Sequence, residues 1–159
     1  AGKSFVQLPI TSDYAAAKMF INLVRTETIW VYAGFSHETG EPCALGILDD
    51  FQGATCKLHY TFFRNPESIR NKEAYAKALA SFLFANGSID VLLLLTPEIF
   101  RHANNMARNI GAEYVGQVPS MIPIRRDDHF EFGECNLYKL VSPAYHKGMK
   151  RPINDVYYK

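Results

Sequence analysis

The run "IDVLLLLTP" (Ile89 to Pro97) constrains the fold more than any other stretch of the chain. Val91 to Leu95 are all aliphatic, so a strand made from them has no polar face and must be covered on both sides. The run is far shorter than the roughly 18 residues that a membrane helix needs. Helical patterns flank it. Asn71 to Asn86 places Tyr75, Leu79, Phe82 and Leu83 at helical spacing and stops at "NGS", where Gly87 suits a left-handed cap. Thr96-Pro97-Glu98 offers a cap, a first-turn proline and an acid near the positive end of the helix dipole. That predicts a helix to about Ile110, which Gly111 ends.

The remaining segments supply more strands. "FVQLP" (Phe5 to Pro9) is a short strand, and "TSDYAAAKMFINLVR" opens a first helix with three capping residues ahead of an apolar stripe. "TIWVYAGFS" and "CALGILDD" meet across the polar turn "HETGEP" as a hairpin, and "DDFQGA" turns into "ATCKLHYTFF". In that last strand Cys56, Leu58, Tyr60 and Phe62 alternate with Thr55, Lys57, His59 and Thr61, which predicts one buried face. "AEYVGQVPSMIPI" and "EFGECNLYKLV" are two further strands around the charged loop "RRDDHF". The order predicts an α/β fold of the α+β mixed-sheet kind, with about seven strands and three to four packed helices. At 159 residues this is one domain, read as 1–141, followed by an aromatic and basic C-terminal extension at 142–159.

Charge and cysteine content narrow the function classes. Seventeen Lys and Arg against sixteen Asp and Glu leave a net charge of +1, so there is no strong nucleic-acid signal and no field drawing the chain to a membrane. Cys43, Cys56 and Cys135 are an odd number without a C-x-x-C pair, which argues against a disulfide framework or zinc site and for buried thiols in a reducing compartment. No run is long enough to span a membrane, and the first residues lack a signal peptide's apolar core. The expected location is the cytoplasm, with no metal.

From about Cys43 to Leu140 the chain resembles the GNAT acetyltransferase superfamily: a long strand, a polar loop, a helix, an apolar strand, a helix ending in "NIGAEYVGQV" and a final hairpin. The resemblance implies a seven-stranded mixed sheet that holds acetyl-CoA or another acyl-CoA in a V-shaped opening between the fourth and fifth strands. It also implies pyrophosphate at the loop entering the next helix, where the family's Arg/Gln-x-x-Gly-x-Gly/Ala motif lets backbone N–H groups approach phosphate. Aligned with that motif, this chain has Asn71-Lys72-Glu73-Ala74-Tyr75-Ala76. Ala76 fits, Ala74 is small but carries a Cβ, Arg70 lies one place early, and Glu73 puts a negative charge where pyrophosphate would sit. Arg64, Arg70 and Lys72 can still attract an anion by charge. The family often carries a tyrosine four residues before the glycine that ends the next helix; here that position is Ala107, with Tyr114 on the following strand.

For the base that an amine nucleophile needs, His59 on the fourth strand is the best-placed residue, with Tyr60 facing the opposite side. Asp49 and Asp50 before that strand and Glu98 in the later helix are alternatives. Arg125 to His129 reads as a solvated turn with internal ion pairs. Two functions follow. One is an acyl-CoA-dependent N-acyltransferase with a degenerate CoA motif, acting on a small-molecule or protein amine. The alternative is a non-catalytic GNAT-like binding or assembly module, such as a bacteriophage virion-assembly protein. Its tyrosine- and lysine-bearing tail would dock on its own domain, on a protein partner or on a second copy.

Overall fold

The structure, a computed structural model, describes residues 22, 25, 26, 28–87 and 89–150. The strand expected at Phe5 to Pro9, nearly all of the first helix and the tail from Arg151 lie outside the described residues. Six strands and two helices are described: β1 (Trp30–Phe35), β2 (Pro42–Gln52), β3 (Thr55–Phe62), α1 (Pro66–Ala85), β4 (Val91–Pro97), α2 (Arg101–Asn109), β5 (Glu113–Arg125) and β6 (Phe130–Val141). They form one sheet in the order β1-β2-β3-β4-β6-β5, in which β3 and β4 run parallel and every other neighbouring pair is antiparallel. This is the mixed sheet that the alternation of patterns predicts.

Both helices lie on the face carrying Leu48, Leu58, Leu92, Leu94 and Tyr138. α1 meets it through Ala76, Ala80 and Leu83, and α2 through Ala107 and Ile110. The stripe expected on α1 is thus displaced by one position. Alanines touch the sheet, Tyr75 and Leu79 flank them, and Phe82 is exposed. Leu92 is fully buried, which by transfer free energy is worth about 1.5–3 kcal/mol. Along β4 burial alternates: Leu92, Leu94 and Thr96 are buried under the helices, while Val91, Leu93 and Leu95 are half-buried on the other face. Gly87 (φ 70°) and Gly111 (φ 94°) take the left-handed conformation at the helix ends, as expected for a residue without Cβ.

Three boundaries differ from the sequence reading. α1 begins at Pro66 and not Asn71, because the Asn65 side chain accepts from the Ser68 N–H (2.7 Å) and proline occupies the first turn. Most of the supposed polar loop is therefore helical, and Asn71 (φ −114°, ψ 18°) appears as a break inside the helix. α2 begins at Arg101 and not at Thr96: Thr96 and Pro97 pair with Asn136 and Cys135 as the end of β4, and the Glu98 N–H bonds to the Glu134 carbonyl. Sheet pairing outweighs the local capping signal. Glu98 accordingly lies in the connection and not in the helix. Finally, Asp49 to Gln52 belong to β2 and only Gly53 and Ala54 turn the chain.

All three cysteines are buried, and none is in a disulfide. Burial pushes the Cys56 thiol up to about 12, so it stays protonated and behaves as a small hydrophobe. No helix among the described residues is long and apolar enough to cross a membrane.

Candidate functional site

β3 and β4 share only three rungs, Thr55↔Val91, Cys56↔Leu92 and Lys57↔Leu93. Beyond them the strands part: β3 continues to Phe62 and β4 to Pro97 without pairing to each other. The opening expected from the family resemblance is therefore present, and its root is Lys57↔Leu93. On the helix side it leads to a groove of about 610 Å³. Tyr60 and Phe62 form the β3 side, Ile69, Arg70, Lys72 and Glu73 come from α1, and His102, Ala103, Asn105, Met106 and Asn109 come from α2.

The groove's polar groups are already paired in part. The Tyr60 hydroxyl donates to the Ala76 carbonyl (3.0 Å), and burial raises its pKa above the ordinary value, so it remains a donor. Phe62 stacks on Tyr60 with centroids 6.0 Å apart, and the Lys72 ammonium lies 5.8 Å from the Phe62 ring. Asn109 Nδ2 donates to Glu73 Oε1 (2.7 Å), bridging the two helical walls. The α2 wall is fixed by buried Asn104, which donates to the Pro97 and Phe100 carbonyls (both 2.9 Å) and accepts from Asn136 Nδ2 (2.8 Å) and the Tyr138 hydroxyl (2.9 Å).

Of the residues named from sequence, Arg70 and Lys72 line the groove together. Arg64 is exposed but is not part of its lining, and Asn71 is the break in α1. Ala74 is exposed, whereas Ala76 is fully buried beneath Tyr60. His59 lies on the opposite face, the first residue past the root whose side chain shares the face of Lys57. Its Nε2 is 3.0 Å from Asp49 Oδ1, so two residues named as separate bases meet. Asp50 instead pairs with Lys57 (2.7 Å). Ala107 is buried, and Tyr114, half-exposed on β5, sits edge-on to Tyr138. The sequence reading missed His102, Asn105, Met106 and Asn109. Their shared spacing on α2 is the signal that would have found them, since positions three or four apart share a helix face.

The charged loop forms the tip of the β5–β6 hairpin. His129 contacts Asp128 (2.6 Å) and Glu131 (3.3 Å), and Arg126 pairs with Glu131 (2.8 Å), the internal pairing expected of it. Hydrogen bonds that the His129 ring donates to Asp128 and then Glu131 hold its pKa above the ordinary 6.5. A raised folded-state value means that the contribution of His129 is fully present below about 6.5 and is lost as pH rises through the folded value. An NMR titration should therefore show His129 titrating above 6.5. A midpoint at or below that value would refute the pairing. Among the described residues no three His, Cys, Asp or Glu side chains come together as a metal set.

Comparison with solved structures decides the fold. Spermidine N-acetyltransferase from Vibrio cholerae, in complex with CoA and spermine, superposes with a TM-score of 0.71 at 7% identity over 86% of this chain and 79% of that one. The chain has the GNAT fold. Ribosomal-protein-S5-alanine acetyltransferase from Vibrio fischeri matches the same GNAT architecture with a TM-score of 0.66, at 6% identity over 87% of this chain and 80% of that one. No family model and no curated protein sequence matches the chain. The GNAT structures that it resembles are acetyltransferases, and they lend nothing to the virion-assembly alternative.

Proposed function

We propose that the protein is an acyl-CoA-dependent N-acyltransferase that modifies an amine. The observation that carries this reading is the parting of β3 and β4 after Lys57↔Leu93, which leaves two strand edges facing a groove walled by Arg70 and Lys72. Unpaired edges inside a sheet need hydrogen-bond partners, and an amide-bearing pantetheine arm offers them. The groove's volume and its two cations fit the donor, and acetyl-CoA or another acyl-CoA would lie with its phosphates toward Arg70 and Lys72. Glu73 opposes that fit and is expected to weaken it. The bound donor supplies an activated thioester carbonyl, to which a C–N bond forms as the C–S bond breaks. The chain's own part is proton handling. On the face opposite the helices, His59 accepts the proton that the amine must lose, and Arg70 and Lys72 hold the donor by charge.

The spermidine enzyme's complex with spermine supports an amine acceptor. Residues 1–141 serve as the catalytic domain. The extension at 142–159 leaves from the sheet's paired end, where Ser142 N–H bonds to the Asp90 carbonyl and Val141 faces Val91.

Calorimetric titration of acetyl-CoA and free CoA tests the reading. Binding should fall in the micromolar range. Arg70→Ala and Lys72→Ala should each weaken it about 3- to 10-fold, as expected for partly exposed charges. Glu73→Gln keeps an acceptor for Asn109 but removes the charge, and should tighten binding by about the same factor. No heat and no thermal stabilisation at millimolar CoA would sink the acyltransferase reading.

A further inference from the structure

We infer that Asp49 is a positioning residue for His59, and that the backbone conformation of Asp50 keeps Asp49 free for that task. The inference rests on His59 being the base proposed above. In the β2–β3 ladder Asp49 stands directly opposite Lys57, while Ile47 stands opposite His59. Side chains that face each other across an antiparallel ladder are nearest neighbours, so regular pairing would join Asp49 to Lys57. The contacts differ. Lys57 Nζ lies 2.7 Å from Asp50 Oδ2, and Asp49 Oδ1 lies 3.0 Å from His59 Nε2 on the diagonal.

The cause is local. Asp50 has φ 50°, the one described non-glycine residue with positive φ, and the register shifts between Asp49 and Gln52. In an unbroken strand Asp50 would face α1 with Leu48. The left-handed turn brings its carboxylate to Lys57 instead, which satisfies the ammonium and leaves Asp49 to the imidazole. Residues other than glycine adopt a left-handed conformation uncommonly, aspartate less rarely than most. Strain of this kind is held where the surrounding structure has a use for it.

The chemical consequence is a fixed tautomer. A carboxylate can only accept a hydrogen bond, so the neutral ring must carry its proton on Nε2 and its lone pair on Nδ1. Both side chains are about one-third exposed, at 30% and 35%, which leaves room for an acceptor amine beside the ring.

Long-range 1H–15N correlation spectra of the 15N-labelled chain test this, with His59→Gln assigning the signals among the five histidines. Wild-type His59 should show one tautomer, protonated on Nε2, with a ring N–H resonance that persists at low temperature. Asp49→Ala should erase that resonance, mix the tautomers, and lower kcat for acyl transfer at least about tenfold with KM unchanged. Asp50→Gly should remove the strain yet weaken the resonance, because Lys57 becomes free to take Asp49. A wild-type ring protonated on Nδ1, or a spectrum that Asp49→Ala leaves unchanged, overturns the inference. If the spectra behave as stated but His59→Gln transfers acyl groups at the wild-type rate, the base assignment falls and the inferred role of Asp49 falls with it, while the geometry stands.

Discussion

Replacing His59 with glutamine is expected to lower the rate of acyl transfer by about 10²- to 10⁴-fold while leaving acetyl-CoA affinity unchanged. The separation follows from the sheet. His59 and the groove are on opposite faces, so the substitution touches no residue that lines the groove. Glutamine keeps a donor for Asp49 but has no group that can take a proton at neutral pH. The measurement is release of CoA thiol with a panel of primary amines, polyamines and peptide N-termini among them, beside calorimetry of the donor. A His59→Gln protein that works at the wild-type rate would remove His59 from the mechanism. With Asp50 paired to Lys57, the search for a base would then turn to Asp49 and Glu98.

Asn104→Ala is expected to destabilise the fold by about 3–5 kcal/mol. Asn104 is 4% exposed and uses its amide in four close hydrogen bonds. Alanine would leave the Tyr138 hydroxyl and the Asn136 amide buried without their acceptor, and the Pro97 and Phe100 carbonyls without that donor. Each orphaned group costs about 1–3 kcal/mol, partly relieved if water enters. The same side chain stands in for a helix cap: Phe100, at the N-cap position, makes no side-chain bond, so Asn104 is what ties the first turn of α2 to the end of β4. Urea denaturation should show the loss as a lower midpoint at similar slope. A change below about 1 kcal/mol would mean that this network contributes little.

Much of the fold is legible in the sequence, because the relevant signals are local. Val91 to Leu95 cannot be anything but a covered strand, and Gly87 and Gly111 end their helices by conformational freedom alone. Asn65-Pro66-Glu67 was an equally local signal for the start of α1, and it is the charged residues after it that make the stretch look like a loop. The misplaced start of α2 has a different origin. Thr96-Pro97-Glu98 has the chemistry of a helix start, but the partner that overrules it, Cys135 to Asn136, is about forty residues away. The candidate site is less legible for the same reason. Arg70 and Lys72 could be found by position within one motif. That Glu73 meets Asn109, and that Asp49 meets His59 and not Lys57, depends on helix placement and on a left-handed residue that composition does not announce.

The three rungs between β3 and β4 also bear on how the molecule holds together. Antiparallel β1-β2-β3 on one side and β4-β6-β5 on the other are each extensively laddered internally, and Thr55 to Lys57 with Val91 to Leu93 is the backbone seam that joins them. Local opening should concentrate at so short a seam, with amide hydrogens there exchanging ahead of those within either half. A ligand bonded to both free edges would act as additional rungs. Its occupancy would then tie the two halves through their backbones as well as through the core that Leu48, Leu58 and Leu92 share under α1.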